Sequence, residues 1–321
     1  MIGRHWLAAA SMLLALAVPA AAADDYPNRP VRIVVPFAPG AINDVAARTV
    51  ATYLSQRFGK QFIVENKTGA GGVVGTEYVA NSPPDGYTIA VVSIANAVQP
   101  ALYKLTFDPI KAFDPVSMFI TSPNALAVHP SVPAGNLKEF IALAKSKPGD
   151  IQYASGGIGG SPHLGMELFK MVAKVDLLHV PFRGASPATI DVIAGNTKAI
   201  IATTSTLTPH IRAGKLRGLA VSMPERIKAL PDLPTFREAG LPEYEGRNWI
   251  GFAVPAGTPK EIVAKLHKEI AELQDSPEAR EQFDNRGAYL EKMNPVQFRR
   301  YIESETAKWT KVVKEAGITA Q

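Results

Sequence analysis

From Arg32 to Ser222, short β-branched runs alternate with longer runs whose apolar residues recur every three or four positions. RIVVPF, QFIVEN, YTIAVVS, NALAVHP, QYAS, DLLHVPF, AIIAT and GLAVS read as strands. NDVAARTVATYLSQRFG, LKEFIALAKS, HLGMELFKMVA and PATIDVIAG, which lie between them, read as helices with one apolar face. Such alternation predicts an α/β chain with parallel sheets covered on both faces. After the proline-rich connector ALPDLPTFREAGLPEYE, one more clear strand, WIGFAVP, leads through AGTP into helices. A single strand makes no sheet, so the carboxy-terminal segment is expected to rejoin the amino-terminal one. Two crossings follow, near residues 121–126 and 246–250. They divide the chain into a first lobe of residues 24–124 and 248–321 and a second of residues 125–247.

The first 23 residues stand apart. Arg4 precedes an apolar run from Trp6 to Val18, and Ala21-Ala22-Ala23 gives a small-residue cleavage pattern before Asp24. This reads as a secretory signal peptide, with an uncleaved anchor as the alternative. A periplasmic location is expected. The absence of cysteine excludes disulfides and thiolate metal sites. A net charge of +5 with no basic run among aromatics speaks against nucleic acid and suits gentle steering of small anions.

In open α/β sheets ligands bind where strands end and helices begin, so the turns after the strands are the candidate sites. The first, Phe37-Ala38-Pro39-Gly40-Ala41, leads into a helix starting near Asn43 whose unpaired amides would attract an anion without any basic side chain. Asp44 either caps that helix or touches the ligand. The second runs through Gly69, Ala70, Gly71 and Gly72, where main chain can approach a ligand or simply pack closely. It fails G-x-G-x-x-G, because Val74 stands where glycine is required, and it lacks the Walker A lysine, so no nucleotide cofactor is expected. Ser93 closes the strand YTIAVVS, and Asn96 follows it in the next turn, both as candidate ligand contacts.

In the second half, Ser155, Gly156, Ser161 and His163 cluster in YASGGIGGSPHLGMELF without the G-x-S-x-G setting of a nucleophile. His163 is open to a structural hydrogen bond, a pocket role or catalysis. No His spacing suggests a metal. Phe182, Arg183 and Gly184 form the next turn, and Arg183 either forks onto an anion or faces solvent. Thr203 and Thr204 open a run of four hydroxyls, of which capping explains one. This inventory of amides, hydroxyls, glycines and one arginine holds an anion better than it transforms one. Four to six charge-assisted hydrogen bonds give a gross gain of about 6–18 kcal/mol, against an association cost of about 4–15 kcal/mol. Tight binding therefore needs most bonds to form together, as two closing lobes would allow.

The segments YPNRPVRIVVPFAPG, ENKTGAGGVVGTEYVANSPPDGYTI, YASGGIGGSPHLGMELF, HVPFRGASPA, IRAGKLRGLAVS, WIGFAVPAGTP and KWTKVVKEAGI, in this order and spacing, resemble the substrate-binding proteins of tripartite tricarboxylate transporters, the Bug receptors. The resemblance implies a type II Venus-flytrap protein with two Rossmann-like lobes. It would close on a small carboxylate and deliver it to an inner-membrane permease. The turns at Phe37–Ala41 and Ala70–Gly72 would hold one carboxylate, and Ser155, Ser161, His163, Arg183 and Thr203 would read the rest. Two departures stand out. Ala41 replaces a second glycine, so its methyl would narrow the pocket or displace a bridging water. GNTKAII lacks the acid usual after the glycine matching Gly195, which weighs against ligands bearing an amino group. A monomer is expected. A periplasmic hydrolase using His163 and a nearby hydroxyl, or a sensor feeding a signalling partner, remain open alternatives.

Overall fold

The computed structural model describes residues 25–157, 160–182 and 184–319. The signal-peptide reading and Arg183 lie outside them. Eleven strands are described: β1 (Val31–Val35), β2 (Phe62–Asn66), β3 (Thr88–Ser93), β4 (Phe113–Ser122), β5 (Asn124–Val128), β6 (Gln152–Ser155), β7 (Leu178–Pro181), β8 (Ala199–Thr203), β9 (Arg217–Val221), β10 (Asn248–Pro255) and β11 (Tyr289–Met293). The helices are α1 (Ile42–Phe58), α2 (Val73–Ala80), α3 (Ile94–Leu102), α4 (Leu137–Ser146), α5 (Ser161–Ala173), α6 (Ala185–Ile193), α7 (Thr204–Arg212), α8 (Lys260–Leu273), α9 (Pro277–Asp284) and α10 (Pro295–Glu315).

The strands make two sheets, one per lobe, in the orders β11-β4-β10-β3-β1-β2 and β7-β6-β8-β5-β9. β10 does rejoin the amino-terminal sheet, but it enters antiparallel between β3 and β4. β5 likewise runs antiparallel to both β8 and β9. Both sheets are therefore mixed, which corrects the parallel expectation. The parallel core survives around β1 in one sheet and β6 in the other. β3 is buried on both faces, as its unbroken TIAVVS predicts.

Helix ends follow local chemistry. Gly59, Gly195 and Gly214 adopt the left-handed conformation that stops a helix, with φ of 65°, 75° and 68°. Asn294 caps α10 by accepting from the Gln297 amide, while the Gln297 side chain accepts from the Asn294 amide.

The chain passes between sheets at Pro123, between β4 and β5, and returns before β10. These two crossings lie side by side: Ser122 pairs with Asn248 and Thr121 with Trp249. Asn124 Nδ2 donates to the Gly246 carbonyl at 3.0 Å, and Thr121 Oγ1 to the Asn248 carbonyl at 3.1 Å. Trp249 is fixed from behind, because its indole and that of Trp309 both donate to Glu305 Oε2 at 2.9 Å.

Candidate functional site

A cleft of about 580 Å³ opens between the sheets, within the size range of small-molecule sites. One flank is α3, which presents Ile94, Val98 and Leu102 one helical turn apart, with Gln99 beside them. Ile120 and Ser122 from β4, with Trp249 and Ile250 from β10, line it beside the paired crossings. Phe37, Ile42 and Asn43 enter from the first turn, Gly160, Ser161 and Leu164 from the start of α5, and Thr203 and Ser205 from the start of α7. Arg286, in the turn after α9, is the one charged side chain lining the cleft among the described residues.

The first turn is held in place by Asp44. Its carboxylate accepts from the Gly40 amide at 2.9 Å, from Arg48 through Nε and Nη2 at 2.9 and 3.0 Å, and from Asn66 Nδ2 at 3.0 Å. The paired Arg48 guanidinium, with these further donors, holds its pKa down to about 2 although the carboxylate is buried. Asp44 is thus committed to the protein rather than to a ligand, and it caps no helix amide, since Ala41 occupies the cap position without a side-chain bond. The first amides to bond back are those of Asp44 and Val45, both to the Ala41 carbonyl, so the Ile42 and Asn43 amides have no acceptor within the helix. Asn43 Nδ2 is buried with no partner among the described residues. Three donors therefore collect at the mouth of α1.

The glycine turn packs closely against its neighbours and also reaches the cleft. Gly71 lines the cleft, and a Cβ there would come within 2.6 Å of the Tyr103 hydroxyl. Gly75 is a packing residue, since a Cβ would lie 2.6 Å from the Lys67 carbonyl and 2.9 Å from Pro36 Cβ. Gln99 spans the gap by donating from Nε2 to the Gly71 carbonyl at 3.2 Å, which leaves its buried Oε1 with no partner among the described residues.

Of the residues expected at the site, the structure brings Phe37, Gly71, Ser93, Ser161 and Thr203 to the cleft wall. Ala38, Pro39, Gly40, Ala41 and Ala70 are exposed beside it, and Gly72 is buried behind Phe37. Asn96 is fully employed: its Oδ1 accepts from the Ser93 amide at 2.8 Å and its Nδ2 donates to Thr76 Oγ1 at 3.0 Å, joining α3 to α2. Gly156 packs on the start of α6, where a Cβ would lie 2.9 Å from the Ala185 nitrogen, and Gly184 donates back to the Gly156 carbonyl. Phe182 packs into the second lobe's core. Thr203 Oγ1 bonds Ser205 and Thr206 side chains at 2.9 and 3.0 Å instead of capping α7, and buried Thr204 Oγ1 has no partner among the described residues.

His163 and Ser155 are joined by a residue the sequence did not single out. The His163 ring stacks on His179 at 4.0 Å between centroids and 9° between planes, and His179 stacks in turn on Tyr153 at 4.8 Å. His179 Nε2 and the fully buried Ser155 Oγ lie 2.6 Å apart. Burial, with like charge from His179 and Lys170, lowers the His163 pKa to about 4. Nearby Glu167 takes bonds from Tyr153 and Lys170 at 2.6 and 3.0 Å. Neither His163 nor His179 lines the cleft, while Ser161, which does, bonds Asn248 Oδ1 at 2.5 Å rather than a histidine. Among the described residues no cluster of three or more His, Cys, Asp or Glu is placed to hold a metal.

The family model described as tripartite tricarboxylate transporter family receptor matches residues 46–318. The chain belongs to that family. It is a family of solute-binding receptors, not of enzymes, and two similar solved structures are described as a periplasmic transporter and a periplasmic binding protein. Protein BugT of Bordetella pertussis is 35% identical over 298 residues, covering 92% of this chain and 91% of BugT. A periplasmic transporter of known structure is 38% identical with a TM-score of 0.74, over 92% of this chain and all of its own. MatC from Rhodopseudomonas palustris, solved with bound malate, is 32% identical with a TM-score of 0.71, over 90% of this receptor and all of MatC. An R. palustris protein solved with adipate is 34% identical with a TM-score of 0.74, over 92% of this chain and 99% of its own. These structures share the two-lobed periplasmic binding protein fold.

Proposed function

We propose that this receptor binds a small carboxylate in the cleft between its lobes and hands it unaltered to an inner-membrane permease of the tripartite tricarboxylate type. In this reading residues 1–23 are a signal peptide, residues 24–124 with 248–321 and residues 125–247 are the lobes, and the receptor acts as a periplasmic monomer. The observation that carries it is the set of donors at the mouth of α1. The Ile42 and Asn43 amides and Asn43 Nδ2 face an anion at the positive end of a 17-residue helix, with no carboxylate competing because Asp44 is already spent. The malate and adipate bound by relatives have the matching chemistry. The paired crossings at Ser122–Asn124 and Gly246–Asn248 supply a hinge about which the lobes close, drying the site so that each hydrogen bond counts for more.

A thermal-shift screen of mono-, di- and tricarboxylates on the mature protein tests the reading. A bound acid at 100 times its dissociation constant adds about 2.7 kcal/mol to folding, and proton spectra of that acid should be unchanged after a day. If no acid raises the melting temperature, or if the acid is consumed, the reading fails.

A further inference from the structure

The cleft wall combines one charged side chain with a row of apolar ones, and this combination narrows the ligand. Gln282 Nε2 donates to Thr49 Oγ1 at 2.9 Å, fastening α9 to α1. Beyond α9, Gly287 lies against the start of α7, where a Cβ would stand 3.1 Å from the Ser205 nitrogen. Arg286 therefore sits in a turn whose helix is tied to Thr49 of α1 and which packs on the start of α7, and it lines the same cleft as Asn43 and Ser205. Its guanidinium is the one charge lining the cleft among the described residues; Nη1 donates to the Gln282 carbonyl at 2.8 Å, and the remaining donors of the planar fork suit a carboxylate. Ile94, Val98 and Leu102 form a row along α3, and Trp249 and Ile250 line the same cleft. A second or third carboxylate laid along that row would lose its hydration and gain no cation. A methylene chain or a ring placed there would bury its surface favourably.

Resting on the receptor reading above, we propose that the cleft selects a carboxylate with a single head group and a bulky apolar body, the head at Asn43 and Arg286 and the body along the Ile94–Val98–Leu102 row, over compact polyacids. Arg286 then sets specificity by pairing with the head, and α3 sets it by length and apolar surface.

Isothermal titration of the mature protein with 3-phenylpropionate, hexanoate, malate and citrate tests this. The expected result is at least tenfold tighter binding of 3-phenylpropionate or hexanoate than of malate and citrate, with the negative heat-capacity change that apolar burial gives. Arg286→Gln should weaken the apolar acids tenfold or more, and Arg286→Lys should restore part of that loss. Leu102→Gln should weaken 3-phenylpropionate at least fivefold and leave any malate binding within threefold. Equal thermal unfolding of the three variants would show that folding is intact. Tighter binding of malate or citrate, or unchanged affinities in Arg286→Gln, would overturn the inference and leave the receptor reading standing. No heat from any of the four acids would overturn the inference, and a blank carboxylate screen besides would remove the receptor reading with it.

Discussion

Asp44 and Arg48 meet one helical turn apart through two parallel hydrogen bonds of 2.9 and 3.0 Å, and this pair sets the shape of the ligand-facing turn. The carboxylate also holds the Gly40 amide, so the turn and the helix it precedes are one rigid piece. Its folded pKa of about 2 lies below the unfolded value near 3.8. The stabilisation is fully present above about pH 4 and is lost as pH falls toward 2. Allowing for the half-exposed Arg48, it contributes about 1–2 kcal/mol. Asp44→Asn should lower the urea midpoint at pH 7 and flatten its decline between pH 4 and 2; an unchanged midpoint would show that the turn holds without the pair.

The His163–His179 stack gives a second pH response at milder acidity. Below about pH 6.5 the unfolded chain takes up a proton that folded His163 refuses until about pH 4. Stability is therefore present above pH 6.5 and falls as the pH drops through that window, by about 2–3 kcal/mol. Phenylalanine keeps the stacking plane but cannot titrate. Comparison of urea midpoints at pH 7.5 and 4.5 should give a larger drop for the wild type than for His163→Phe, and equal drops would remove the histidine from the account.

Gly75 allows α2 to sit directly on the first turn. Gly75→Ala forces a methyl to within 2.6 Å of the Lys67 carbonyl, a backbone atom that cannot step aside. Overpacking of this kind costs about 1–3 kcal/mol. Equilibrium urea unfolding should show the loss, with weaker carboxylate binding because Gly71 and Phe37 shift together.

Glu305 gathers two indoles, and Lys308 also bonds it. Glu305→Ala would strand both buried N–H groups and should cost about 3–5 kcal/mol, whereas Glu305→Gln keeps an acceptor and should cost less. Because Trp249 lines the cleft, the alanine variant should also change the intrinsic fluorescence of the native state. Denaturation curves followed by tryptophan emission read both effects, and equal losses in the two variants would contradict this role for the acceptor.

Strands with clean β-branched runs and turns marked by Pro and Gly were legible in the sequence, and so was the return of β10 to the first sheet. β4 was not, because Asp114-Pro115 and Ser117 break its apolar run; Pro115 is tolerated where the β4–β10 register shifts. β11, YLEKM, is a short edge strand carrying charges, which looks like loop. The antiparallel entry of β10 and β5 depends on partner order, which periodicity does not encode. At the cleft, the turn residues were readable because glycine and hydroxyl patterns mark strand ends. The α3 row and Arg286 were not, since the former follows a strand with no turn residue and the latter arrives from more than 200 positions away in the chain. The His163–His179 stack follows from β6–β7 register, which sets Tyr153 beside His179.

Main-chain and side-chain donors at the start of α1 grasp an acid without changing it. A crystal structure of the mature protein with its tightest-binding carboxylate tests this most directly. The expected result is intact ligand, with carboxylate oxygens within about 3 Å of the Ile42 and Asn43 amide nitrogens and of Asn43 Nδ2. A carboxylate turned away from α1, or a ligand bound outside the cleft, would contradict it.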